Sequence, residues 1–257
     1  MSTVTTRKDG QPTWVELASE DPDGSRAFYG ALLGWEFEVF GEEFGRNSIA
    51  RKDGSDVAGV GPKPDGVPMT AVWNLFLSTS DVDATTARAV ELGGVVAAGP
   101  MDVPGSGRFA MVLDVTGAMV GLWQSHGMDG FGIVAEPGAF AWGELWTGDS
   151  EAARAYYRDL FSYRINDMSS DGFVYATFQV DDDDVAGVGV LDPTWGGTVP
   201  PHWAVYFGVG DTDASVRLAT ELGGQVMGEA MDSPYGRMAT LVDPQGAPFR
   251  VVSGTAG

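Results

Sequence analysis

Trp14-Val-Glu-Leu-Ala-Ser-Glu-Asp21 decides how this chain is read. Its alternation puts Trp14, Glu16 and Ala18 on one side and Val15 and Leu17 on the other, the period-two signature of a strand. Asp21-Pro-Asp-Gly24 then reads as a helix start, with Asp21 as N-cap and Pro22 at the first helical position, where its missing N–H costs nothing. The stretch returns as Trp142-Gly-Glu-Leu-Trp-Thr-Gly-Asp149. Residues 13–35 match 141–163 at 8 of 23 positions, and residues 81–104 match 211–234 at 12 of 24. Asp56-Val-Ala-Gly-Val-Gly61 recurs letter for letter as Asp184-Val-Ala-Gly-Val-Gly189, and Asp114-x-x-Gly117 as Asp243-x-x-Gly246. Order and spacing hold throughout, so the chain is two homologous halves. The expected domains are 1–127 and 136–257, with His126–Gly130 and Glu136–Gly138 in the junction.

Each half is itself double. In the first half, helices are expected from Asp21 to Leu33-Gly34 and from Asp81 to Leu92-Gly93-Gly94. Each opens on an Asp and closes on Gly, which tolerates a left-handed cap. A strand precedes each Asp (Thr13–Ser19, Val72–Ser80). Three strand-like runs follow each Gly: Trp35–Phe40, Asn47–Lys52 and Val57–Gly61, then Val95–Met101, Phe109–Asp114 and Ala118–Gln124. The second half repeats the scheme with helices near 149–162 and 211–223. The unit is β-α-β-β-β, four times over. Three strands per helix argue for an α+β fold, with helices on one face of each sheet and the other face curling into a cup.

Composition narrows the function. The 257 residues are 44% hydrophobic, enough for two cores, yet no apolar run approaches the length of a membrane span. Met1–Gln11 is short and polar, unlike a signal peptide. No cysteine is present, which removes disulfides, thiolate metal sites and Cys nucleophiles and fits a reducing cytoplasm. A net charge of −21 disfavours nucleic acid and favours cationic ligands by long-range steering, although it also serves solubility. There is no G-x-S-x-G elbow, and Gly105-Ser-Gly107-Arg108 precedes no helix, so it is no phosphate loop. Asp181–Asp184 reads as a solvated charge run at a turn, without the spacing of a calcium loop.

Trp14-x-Glu-Leu…Asp21…Phe28-Tyr29…Leu33-Gly34-Trp35, its echo ending Tyr156-Tyr157…Leu160-Phe161, and the closing Asp243-Pro-Gln-Gly246 resemble the vicinal oxygen chelate superfamily. That superfamily includes glyoxalase I, extradiol dioxygenases, and fosfomycin-resistance and bleomycin-binding proteins. The likeness covers nearly the whole chain and is strongest to actinobacterial tandem glyoxalase-like proteins. It implies two tandem domains, each an open eight-stranded cup of paired βαβββ modules with the ligand inside. Metal-dependent members carry His, Gln or Glu at set cup-facing positions. In this chain the corresponding residues are Trp14, Asn74 and Gly121 in the first half, and Trp142, Ala204 and Arg250 in the second. Trp offers only a donor and Arg repels a cation, so no metal site and no cofactor are expected.

Strand alternation gives the expected linings: Trp14, Glu16, Asn74, Phe76 and Trp123 in the first cup, and Trp142, Glu144, Trp146, His202, Tyr206 and Arg250 in the second. Aromatic walls with a few polar groups suit a small-molecule pocket, but aromatics also fill cores. Trp203, Phe207 and Phe249, on the alternate face, read as core, as do Tyr29, Tyr156 and Tyr157. Glu16 and Glu144 are the candidate catalytic residues, as general bases or as anchors for a cation; each could equally be a structural acceptor. Arg250 is expected to pair with Glu144 before it holds any ligand. The sequence therefore points to a protein binding a small aromatic or cationic natural product, as bleomycin-binding relatives do. The alternatives are a metal-independent isomerase, cyclase or oxygenase of secondary metabolism and, last, a metal-dependent glyoxalase-type lyase. The expected partner is a small molecule, with neither nucleic acid nor membrane, and the chain is either a monomer of two paired domains or a homodimer.

Overall fold

The computed structural model describes residues 7–42, 45–66, 71–191 and 199–254; part of the polar Met1–Gln11 stretch lies outside them. The first half runs β1 (Pro12–Ser19), α1 (Pro22–Leu33), β2 (Glu36–Val39), β3 (Ser48–Lys52) and β4 (Ser55–Pro62). Its second module is β5 (Val72–Ser78), α2 (Val82–Glu91), β6 (Val95–Val103), β7 (Gly107–Leu113) and β8 (Met119–Ser125). The second half repeats this as β9 (Phe140–Thr147), α3 (Ser150–Phe161), β10 (Arg164–Asp167), β11 (Tyr175–Val180) and β12 (Asp183–Val190). It ends with β13 (His202–Gly208), α4 (Thr212–Glu221), β14 (Gln225–Ser233), β15 (Gly236–Val242) and β16 (Pro248–Ser253). All four helices begin as the sequence predicts. The Asp21, Asp81, Asp149 and Asp211 carboxylates accept hydrogen bonds from the N–H groups of Gly24, Ala84, Ala152 and Ala214. One stop differs from the glycine rule: α3 ends on Ser162, which takes the left-handed conformation (φ 59°) that Gly34 takes after α1.

The strands form two eight-stranded sheets, β2-β3-β4-β1-β5-β8-β7-β6 and β10-β11-β12-β9-β13-β16-β15-β14. Within each module the first and last strands run parallel, and the two modules join through an antiparallel seam, β1–β5 or β9–β13. The seam register sets Trp14 against Phe76 and Glu16 against Asn74; in the second sheet it sets Trp142 against Tyr206 and Glu144 against Ala204. Val15, Leu17, Leu75 and Leu77 are fully buried on the opposite face, where the helices lie.

The helix-bearing faces of the two domains pack together. Trp35 and Trp73 of the first half meet Phe207 of the second edge-on at 5.3 and 5.1 Å, and Tyr29 meets Phe249 at 5.3 Å. Two polar relays cross this apolar contact. Trp73 Nε1 donates to the Tyr29 hydroxyl (2.9 Å), which donates to Asp243 Oδ2 (3.1 Å). Trp203 Nε1 donates to the Tyr157 hydroxyl (3.0 Å), which donates to Asp114 Oδ2 (3.1 Å). Tyr29 and Tyr157 are therefore core residues, as expected, but their hydroxyls reach into the opposite domain. The repeated Asp-x-x-Gly supplies the acceptors: each Asp also ties its own turn through backbone N–H groups. Trp35 Nε1 donates to the Gly138 carbonyl (2.6 Å), and the Tyr163 hydroxyl to that of Gly10, so each domain also grips the segment leading into the other. The Asp181–Asp184 run is exposed but not merely solvated. Asp181 pairs with Lys8, Asp182 with Arg164 at 2.8 Å, and Asp184 accepts from Thr177 and Gln179.

Tyr29→Phe strands a buried indole N–H and a buried carboxylate oxygen in opposite domains. We expect it to cost about 2 kcal/mol, and Tyr157→Phe the same, read as a lower midpoint in urea denaturation. A loss under about 0.5 kcal/mol would show that packing alone joins the domains.

Candidate functional site

Each seam carries one carboxylate on its concave face, two residues beyond a Trp. The two copies, Glu16 and Glu144, meet opposite surroundings.

In the second cup Glu144 is buried and surrounded by donors. Oε1 accepts from the Tyr175 hydroxyl at 2.7 Å; Oε2 accepts from the Tyr206 hydroxyl at 2.5 Å and from Trp146 Nε1 and Arg250 Nη1, each at 3.1 Å. That nearly exhausts the lone pairs of one carboxylate. Arg250 also donates to the Tyr206 hydroxyl and lies over the Trp146 and Tyr206 rings, 5.0 and 5.1 Å from their centroids. Trp142 Nε1 donates to the Tyr175 hydroxyl at 3.3 Å. Burial first, then the neighbouring Glu144, pushes the Tyr175 and Tyr206 phenols up, so both remain protonated donors. His202 sits at the rim opposite Trp146, its Nδ1 2.9 Å from the Pro200 carbonyl oxygen; burial lowers its pKa.

In the first cup Glu16 makes no hydrogen bond or ion pair among the described residues. It is only partly shielded from solvent, yet it lies deep enough that burial alone raises its pKa, with no neighbouring charge contributing. Trp14 lies beside it over Gly59, Phe76 and Trp123 lie farther along the same face, each of the three under 8% exposed, and Asn74 lies directly across the seam. Trp14 packs on Phe131 of the junction (5.8 Å), and Trp123 Nε1 donates to the Met128 carbonyl (2.9 Å). A cavity of ≈ 180 Å³ opens at the Trp123 end, between Arg7, Ser78, Ser80, Ser125 and Asp129. Arg7 lies over the Phe131 ring there, with its Nε and Nη2 buried and unpartnered.

The registers set Trp14, Glu16, Asn74, Phe76 and Trp123 on one face of the first sheet, and Trp142, Glu144, Trp146, His202, Tyr206 and Arg250 on one face of the second. The Arg250–Glu144 pair forms, and Trp203, Phe207 and Phe249 are buried on the other side. The sequence reading missed Tyr175 and the glycines Gly59 and Gly187. Aligning the repeated Asp-Val-Ala-Gly-Val-Gly hairpins places Tyr175 at the position of Asn47, so a signal was available. It also explains why the motif is kept letter for letter. A Cβ on Gly59 would come within 3.1 Å of Glu16 Cγ, and one on Gly187 within 2.1 Å of the Tyr175 hydroxyl and 3.0 Å of Glu144 Cγ. Both glycines make room for the carboxylate of their own cup.

The residues do not fit a catalytic metal. Where the resemblance places ligands stand indole N–H donors, Gly121, Ala204 and a guanidinium, with Asn74 the one neutral acceptor. Among the described residues, no group of three or more His, Asp or Glu could hold an ion.

The two carboxylates differ in energetic sign. Glu144→Ala leaves Arg250 without its counter-ion and two phenol O–H groups without an acceptor, and should cost about 3 kcal/mol. Glu16→Gln removes an unpartnered, partly shielded charge, and should raise stability by about 1 kcal/mol at pH 7. Because burial raises the folded pKa of Glu16, the folded state binds the extra proton and stability falls as pH rises through that range. The gain from Glu16→Gln should therefore vanish below the usual carboxylate range and grow as pH rises through the shifted pKa. Urea titrations at several pH values measure both; an equal loss for the two variants would refute the contrast.

Comparison with known proteins agrees with this architecture. Residues 11–122 match the Glyoxalase/Bleomycin resistance protein/Dioxygenase superfamily, and residues 144–252 match a glyoxalase-like domain. The anthracycline biosynthesis protein DauV of Streptomyces sp. strain C5 is 39% identical over 95% of this chain and 93% of its own length. CFP32 of Mycobacterium tuberculosis, provisionally named a glyoxylase, is 37% identical over 95% of both. Among solved structures, the Mn(II)-bound glyoxalase from Novosphingobium aromaticivorans shares the fold with a TM-score of 0.67 at 15% identity, over 96% of this chain and 82% of that one. With two tandem domains of the expected topology and relatives matched end to end, the chain belongs to the glyoxalase/bleomycin resistance/dioxygenase superfamily, the vicinal oxygen chelate fold.

Proposed function

We propose that this chain is a metal-independent binding protein of secondary metabolism that holds a small aromatic or cationic natural product in an aromatic-lined cup. The observation that carries this reading is the concave face of the first domain. There Trp14 stands beside a single unpaired carboxylate, Glu16, and Phe76 and Trp123 extend the same aromatic face, where metal-dependent members would gather ligands. Rigid aromatic rings with few, placed polar groups are the usual composition of a pocket for a planar organic molecule. The name of the Streptomyces relative, an anthracycline biosynthesis protein, supports a polycyclic aromatic class of ligand. We take the protein to act in the cytoplasm as a monomer whose two domains pair within the chain, sequestering its ligand for self-resistance. Among the described residues no helix is long and apolar enough to cross a membrane.

The raised pKa of Glu16 favours a second reading. A carboxyl poised above its ordinary range is suited to general acid–base work, so the same cup could isomerise or cyclise its ligand.

The test is titration with a panel of planar aromatic metabolites, followed by Trp fluorescence, with the ligand recovered and weighed by mass spectrometry. Saturable quenching, an unchanged ligand mass and no effect of EDTA are the expected results. A turned-over ligand moves the conclusion to the second reading. Loss of binding in EDTA, restored by one equivalent of a divalent metal, would overturn both.

A further inference from the structure

The two cups share a backbone and a carboxylate but differ at the four positions that decide whether that carboxylate is free. Glu144 is held by Tyr175, Tyr206, Trp146 and Arg250. At the repeat-equivalent positions the first half carries Asn47, Phe76, Ala18 and Gly121. Phe76, Ala18 and Gly121 have no side-chain donor. Asn47 turns its Oδ1 toward Gly61, coming within 1.7 Å of where a Cβ on that glycine would stand. The first cup therefore lacks the whole set of groups that satisfies the second.

What remains in the first cup is a convergent pair. Trp14 Nε1 and Glu16 Oε2 lie 3.2 and 3.3 Å from the position a Cβ on Gly59 would occupy. One is a donor, the other an acceptor, and neither has a partner among the described residues. Neither belongs to the fully buried unpartnered atoms. The corresponding pair in the second cup is spent internally, Trp142 on Tyr175 and Glu144 on its four donors. Leaving a deep carboxylate unpaired is costly unless something completes it. No neighbouring positive charge stabilises Glu16. A chain of net charge −21 draws cations rather than anions toward such a site.

Building on the binding function proposed above, we infer that the first cup alone is the ligand site, that its ligand is an aromatic molecule bearing a cationic amine, and that Glu16 pairs with this amine. Trp14 Nε1 then donates to an acceptor beside the amine, and Phe76 and Trp123 flank the aromatic body. The second cup is a closed structural copy, its would-be ligand replaced by the Arg250 guanidinium stacked between Trp146 and Tyr206.

Calorimetric titration with two planar probes tests this: 9-aminoacridine, a cation at neutral pH, and acridone, its neutral counterpart. The wild-type protein should bind 9-aminoacridine at least tenfold more tightly than acridone. Glu16→Gln should abolish that preference while leaving acridone affinity within twofold, and its denaturation midpoint, at or above that of the wild type, shows that it folds. Glu144→Gln should retain the preference. Equal affinity for both probes would overturn the inference and leave the broader binding function standing, as would a preference lost in Glu144→Gln and kept in Glu16→Gln. Binding of neither probe would count against the aromatic-ligand function itself.

Discussion

Tyr29 and Tyr157 each hold one hydroxyl between an indole N–H of their own domain and a carboxylate of the other, and the arrangement of the molecule depends on this pair of relays. An Asp that closes the last hairpin of one sheet is the acceptor for a helix of the opposite half. Because its second oxygen already ties the turn, the turn and the domain contact are satisfied together or not at all. Around the relays lie Trp35, Trp73, Phe207 and Phe249, so each polar step is sealed inside an aromatic layer. Burial, rather than any charge, is the largest cause of the upward shift of both phenols, which keeps them protonated and able to donate. The consequence for function is geometric. With the helix-bearing faces turned toward each other, the opposite faces of both sheets point away from the domain contact.

Those concave faces show how a duplicated fold can part company with itself. The backbone, the seam register and the glycine under the carboxylate are common to both halves. Four side-chain differences turn one cup into a closed hydrogen-bonded cluster and leave the other with an acceptor and a donor to spare. A buried ionic cluster has a large desolvation cost and contributes little net stability; its removal piece by piece is what destabilises. The second cup thus fixes a conformation, whereas the first leaves its carboxylate unsatisfied at some cost in stability.

Much of this was legible in the chain. The four Asp caps located the helices, and counting back from them set the faces of β1 and β9, so Trp14, Glu16, Trp142 and Glu144 were placed before any coordinate. The helix stops were also legible, except at Ser162, where a polar residue in a left-handed conformation did the work of glycine. Two features were out of reach of local pattern. The hydroxyl of Tyr29 finds its acceptor 214 residues away, and a Tyr on a helix facing a sheet reads as plain core until the other domain is present. Tyr175 stands where the first half has Asn47, so the repeat alignment places it, but only the folded sheet shows its hydroxyl reaching Glu144.

The substitutions at the expected metal positions follow from the same geometry. A site built for an ion needs several small donors converging on one point, and the antiparallel seam with its parallel flanking strands brings three strand positions together there. Replacing one donor by an indole fills that point with a ring. Replacing another by glycine opens the wall beside it: a Cβ on Gly121 would sit 2.1 Å from the Phe76 ring, which lies over this position instead. This face now carries aromatic rings and one carboxylate rather than a set of lone pairs. The fold supplies the same sheet face in either case, and its chemistry differs through a few side chains on β1, β5 and β8. In the first domain those side chains leave an unpaired carboxylate, an acceptor, beside an unpaired indole N–H, a donor.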